Sequence, residues 1–156
     1  MDSIRYPLVG MCRCKRLSVE ITAAPILTSA CHCRGCQRMS ASAYSLTAMI
    51  PTRAFRVING ELERGGIKGP ELEHFFCADC KTWVFTRIIG TPIIGIDDFV
   101  NVRPSLFDDP RLSLPFIETM TAEKLFWAET PARYSYAGFP SVEDFQRLVE
   151  EFAACR

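Results

Sequence analysis

A mainly β fold of packed antiparallel sheets, tied by cysteine knuckles and finished by one C-terminal α-helix, is the class this chain predicts. Three observations predict it. Strand-length apolar runs separated by turn residues fill the first two thirds of the chain, seven of its eight cysteines fall into three tight clusters, and an amphipathic stripe stands near the end. At 156 residues and 48% hydrophobic composition there is material for one domain with a real core, read here as residues 1–156. The cysteines are therefore not a substitute for a missing interior.

The predicted strands, in order, are residues 17–21, 26–31, 44–50, 55–59, 73–77, 83–86 and 93–96. Each is short, rich in β-branched or aromatic residues and bounded by Gly, Pro or Asn. Asn59-Gly60, between residues 55–58 and 62–64, predicts a hairpin, because a type I′ turn needs positive φ at both central positions. Gly65-Gly66 and Gly69-Pro70 bracket a loop before the last cysteine pair, placed to cover a site. The one predicted helix is terminal. Ser141 caps it, Asp144 is spaced to return the capping bond, and Val142, Phe145, Leu148, Val149 and Phe152 share a face that packs on the sheet. Cys155 lies beyond that stripe as an incidental thiol.

Eighteen basic residues cancel eighteen acidic ones, which argues against nucleic acid or an anionic membrane as a bulk partner and for a small molecule. The first residues lack the charged-then-apolar pattern of a secretory signal, and no apolar run approaches the roughly 18 residues of a membrane span, so a cytoplasmic protein is expected. In a reducing compartment clustered cysteines point to metal before disulfides.

The clusters are Cys12-Arg13-Cys14, Cys31-His32-Cys33-Arg34-Gly35-Cys36 and Cys77-Ala78-Asp79-Cys80. Along an extended segment alternate side chains share a face, so Cys31 and Cys33 reach one ion while His32 faces away; Cys36 then closes a knuckle on the same ion. By the same alternation Cys12 and Cys14 project together, and with the knuckle Cys77 and Cys80 they can pinch a second ion between four thiolates. Spacing alone leaves other partitions open, such as Cys12, Cys14, Cys31 and Cys33 on one ion or a thiolate-bridged pair. Iron–sulfur clusters draw more often on a regular run of four cysteines, so zinc fits better. Three sulfurs leave a fourth position for water or a substrate thiol, which a metal would hold as the nucleophilic thiolate. Arg34, Gln37 and Arg38 are the neighbouring candidates to stabilise an oxyanion or to offset the sulfur charge. His32 and His74 read as structural, His74 as a partly exposed strand residue. Phe75, Phe76, Trp83 and Phe85 read as core, and Asp97-Asp98 as a solvated turn.

The order Gly10-x-Cys12-x-Cys14, Cys31-His32-Cys33-x-x-Cys36 and Phe76-Cys77-x-x-Cys80 resembles the glutathione-dependent formaldehyde-activating enzyme (GFA) and centromere protein V family. Phe55-Arg56-Val57 with Gly60-Glu61-Leu62, then Leu106-Phe107-Asp108-Asp109-Pro110 with Pro115 and Trp127, extend the likeness over most of the chain. The resemblance implies a complex all-β zinc fold shared with small Rab-exchange-factor-like proteins. It implies two zinc ions per chain, a structural one on Cys12, Cys14, Cys77 and Cys80 and a catalytic one on Cys31, Cys33 and Cys36. It also implies a carbon–sulfur lyase that joins formaldehyde to the glutathione thiol or cleaves S-hydroxymethylglutathione. Lys15 and Lys81 stand where the family commonly has Gly, at a cost of roughly 1 kcal/mol each for a left-handed turn. Gln37-Arg38-Met39-Ser40-Ala41 also departs from the family pattern after the third cluster, which bears on the substrate. A zinc-stabilised binding module, or a thiol metal store without catalysis, is the competing class. A homodimer is allowed, with no sequence feature that singles out its interface.

Overall fold

The computed structural model describes residues 4–67, 69–90 and 98–156. In chain order the elements are β1 (Leu8–Met11), β2 (Ser18–Ile21), β3 (Leu27–Cys31), α1 (Arg34–Ser40), β4 (Ser45–Pro51), β5 (Phe55–Asn59), β6 (Leu62–Gly65), β7 (Leu72–Cys77), β8 (Trp83–Ile88), β9 (Phe99–Val102), β10 (Ile117–Thr119), β11 (Tyr134–Ser135) and α2 (Val142–Ala154). Strands β1, β2 and β5 form a three-stranded sheet, and the others an eight-stranded sheet in the order β11-β10-β3-β4-β9-β8-β7-β6. Among the described residues no helix is long and apolar enough to cross a membrane.

Two apolar layers explain the arrangement. Val19 and Ile21 of β2 face Ala48 and Ile50 of β4, Val84 and Phe85 of β8 and Val102 of β9, forming a core between the sheets. Met49 of β4 joins Leu27 of β3, Ile117 of β10 and Leu148 of α2 in a second core, with Phe145 and Phe152 packed against it. Strand β4 is thus covered on both faces, which is why it reads as a nearly continuous apolar run rather than an alternating one. Helix α2 forms as its stripe predicts. The Ser141 hydroxyl accepts from Asp144 N at 3.1 Å, while the Asp144 carboxylate pairs with Arg147.

Several expectations are corrected. The hairpin at Asn59-Gly60 does not form: β5 pairs antiparallel with β2, and β6 with β7, so the chain crosses from one sheet to the other there. Gly60 does take positive φ, 86°, but for a close approach, since a Cβ on it would lie 2.4 Å from the carbonyl oxygen of Arg16. The large sheet is mixed rather than wholly antiparallel, because β10 runs parallel to both β3 and β11. Helix α1 is additional. No residue of it is buried, so it carries no apolar period that a sequence reading could detect. Strands β1, β9, β10 and β11 were also unforeseen, the last two being only three and two residues long. The strand expected at 93–96, and Asp97, lie outside the described residues; Asp98 is exposed as expected.

Candidate metal centres

Two six-residue turns, 12–17 and 77–82, bring four cysteines together from opposite sheets. Cys12 N donates to Leu17 O at 3.0 Å across the turn between β1 and β2, and Cys77 N donates to Thr82 O at 2.9 Å across the turn between β7 and β8. The pair Cys12 and Cys14 therefore sits on a tight turn, not on the extended segment expected. Each turn has a lysine in the left-handed conformation, Lys15 with φ of 64° and Lys81 with φ of 59°. These are the positions where glycine would be strain-free.

The sulfur atoms of Cys12, Cys14, Cys77 and Cys80 lie within 4.8 Å of one another. The Cys12–Cys14 separation is 3.4 Å and the Cys14–Cys77 separation 3.9 Å. A tetrahedron with bonds of about 2.3 Å spaces sulfurs by roughly 3.8 Å, so this donor set fits zinc. Leu17 N donates to Cys12 Sγ at 3.3 Å, a bond that favours the thiolate. All eight cysteines are free thiols.

The sulfurs of Cys31, Cys33 and Cys36 form a second group, also within 4.8 Å of one another. Cys31 ends β3, Cys33 caps α1, and Cys36 lies in the first turn of that helix, where its N–H donates to Cys33 Sγ at 3.3 Å. The hydrogen bond between Cys36 and Cys31 holds the Cys31 pKa down to about 5 and pushes that of Cys36 up. Sulfurs that share protons in this way are suited to a cation. This group opens on a cavity of about 410 Å³ between β3, β4, β8, β9 and α2.

Arg103, immediately after β9, lines that cavity and was not anticipated. It is buried, its Nη2 donates to Asn101 O at 3.1 Å, and its guanidinium stacks 4.1 Å from the Trp83 ring centroid. Burial lowers its pKa to about 10, against the opposing pull of the Cys36 and Cys31 sulfurs, so it stays charged at neutral pH. Three thiolates around a divalent ion leave one negative charge, which this guanidinium offsets; the second group fits zinc as well. The sequence signal was faint: one Arg between an alternating apolar strand and Pro104, with nothing to place it beside cysteines 67 to 72 positions earlier.

Arg34, Gln37 and Arg38 lie elsewhere, lining a second hollow with Trp127 on the outer side of α1. Gln37 ties α1 down, its Nε2 donating to His32 O at 2.7 Å and to Glu123 O at 3.0 Å. His32 is fully buried and joins neither sulfur group. Its Nε2 lies 3.0 Å from Glu118 Oε2 and its ring meets Tyr44 edge-on. His74 is buried rather than partly exposed, with Nδ1 2.8 Å from Thr86 Oγ1. Phe75 and Phe85 stack in the core as expected, whereas Trp83 turns to the cavity. Cys155 is exposed, with Arg133 beside it.

Residues 7–123 match the profile of a family described as glutathione-dependent formaldehyde-activating enzyme. Among solved structures, a Rhodobacter sphaeroides protein from a structural-genomics programme is similar, with a TM-score of 0.50 and 18% identity. The match covers 67% of this chain and 93% of that one, and at such identity it speaks to the fold alone.

Proposed function

Since the chain belongs to the glutathione-dependent formaldehyde-activating enzyme family, we propose that it is a zinc-dependent carbon–sulfur lyase. Its substrate would be the adduct of a thiol of the glutathione type with formaldehyde or another small aldehyde. The observation that carries the proposal is the difference between the two sulfur groups. Cys31, Cys33 and Cys36 line a cavity of about 410 Å³, within the range of small-molecule sites, while Cys12, Cys14, Cys77 and Cys80 line neither hollow described above.

In this reading Cys12, Cys14, Cys77 and Cys80 hold a structural zinc that clasps the β1–β2 turn to the β7–β8 turn. Cys31, Cys33 and Cys36 hold the second zinc, which when bound favours the thiolate form of a substrate thiol. The thiolate sulfur adds to the aldehyde carbon, and the π pair of the carbonyl moves onto oxygen. That oxygen takes up a proton, balancing the one the thiol lost, and an S-hydroxyalkyl thioether results; cleavage is the reverse. Arg103 supplies a fixed positive charge for the oxygen as it becomes an alkoxide, and the surrounding apolar wall strengthens that interaction by excluding water. His32 stays out of the chemistry.

Exchange spectroscopy on a mixture of glutathione and formaldehyde tests the family's own reaction. The expected result is a rate of interconversion above buffer that Cys36→Ser abolishes. A rate equal to buffer would remove this substrate pair.

A further inference from the structure

We infer that the thiol this site prefers carries an uncharged, apolar body of about the size of an aromatic ring, and that glutathione binds more weakly than such a thiol. The inference rests on the reading of the three-cysteine group as a thiol site and narrows it.

The cavity walls are Met49, Phe99, Ile117 and Phe145, contributed by both layers that meet at β4. Its rim is apolar too. Ile88, Phe139 and Val142 line the mouth and are 45%, 73% and 59% exposed. Large apolar side chains around the opening of a cavity mark a surface that a ligand covers.

The charges point the same way. Arg103 is the one charged side chain among the described residues lining the cavity; the other polar lining groups are hydroxyls, thiols, an indole N–H and an amide. Glutathione brings two carboxylates, an ammonium group and two peptide units. Each needs a partner if it leaves water, and a charge left unpaired costs most of all. Among the described residues the cavity has no second cation for a carboxylate and no carboxylate for the ammonium group. A thiol with an aryl or branched alkyl body makes none of these demands and buries its surface against the four wall residues.

Buried donors remain for the reacting oxygen. Arg103 Nε, Trp83 Nε1 and Ser45 Oγ have no partner among the described residues, and all three residues line the cavity. Donors left unpaired in a site are suited to an oxygen that arrives with the substrate. The apolar body and the hydroxyl of the S-hydroxyalkyl adduct thus have separate places.

Isothermal titration of the zinc-loaded protein with 2-phenylethanethiol and with glutathione, under reducing conditions, tests this. The expected result is binding of the aryl thiol at least about tenfold tighter than glutathione. Phe139→Ser, at an exposed rim position, is expected to weaken the aryl thiol by about tenfold and so to close the gap to glutathione. Equal or tighter binding of glutathione, lost in Cys36→Ser, would overturn the apolar-body inference while leaving the thiol site standing. Failure of both thiols to bind would overturn the inference together with the thiol site.

Discussion

Glu118 shows how a buried charge is held beside the three-cysteine group without joining it. It lies on β10, one position before Thr119, which pairs with Cys31. Burial pushes its pKa up, but Lys124, Thr130, Ser135 and His32 all bond its carboxylate and together bring it down to about 2. A carboxyl depressed in the folded state contributes stability that is fully present above its unfolded value, near 4.5, and is lost as pH falls toward 2. Glu118→Gln is therefore expected to lower stability by about 2 kcal/mol at pH 7. The gap from the parent should narrow as pH falls below about 4.5, read by chemical unfolding across that range. A gap independent of pH would show that the carboxylate charge contributes nothing. At this scale much was legible in the sequence. The cysteines announced themselves by spacing, and Lys15 and Lys81 by standing where a left-handed turn wants glycine. Arg103 did not, because its partners come from β3 and α1, and no local pattern encodes a neighbour that far along the chain.

Among the elements, the strand-length runs were readable wherever a β-branched or aromatic run was long enough to show, as in β2, β3, β4, β5, β7 and β8. Short β10 and β11 exist because neighbours pair with them, and solvent-facing α1 exists because Cys33 caps it; neither kind leaves a periodic trace. Asn59-Gly60 misled for a physical reason. The turn signal is real, but the glycine serves a crossing between sheets, where the backbone of Arg16 and Leu17 passes against it. Gly60→Ala would combine an unfavourable φ of 86° with a Cβ placed 2.4 Å from a carbonyl oxygen. The expected cost is at least about 2 kcal/mol, seen as a lower urea midpoint at unchanged slope. A midpoint within error of the parent would mean the crossing relaxes freely, and that this junction does not constrain the fold.

Across the whole molecule the two sulfur groups divide the work by where the topology puts them. One joins the turn of the small sheet to a turn near the edge of the large one, so the binding energy of a metal held there would belong to the folded state. The other sits at the end of β3 on the far side of β4, facing the cavity under α2. The existence of both groups and their membership could be anticipated from spacing together with the family resemblance. The cavity could not, because it is built by β4, β9, β10 and α2 meeting around it. The central claim is that the groups hold separate zinc ions with separate duties, and elemental analysis of zinc per chain in Cys36→Ser beside Cys77→Ser tests it most directly. The account predicts two ions in the parent, one ion in a folded Cys36→Ser protein, and loss of the fold in Cys77→Ser. Equal loss of zinc and fold in both variants would contradict it.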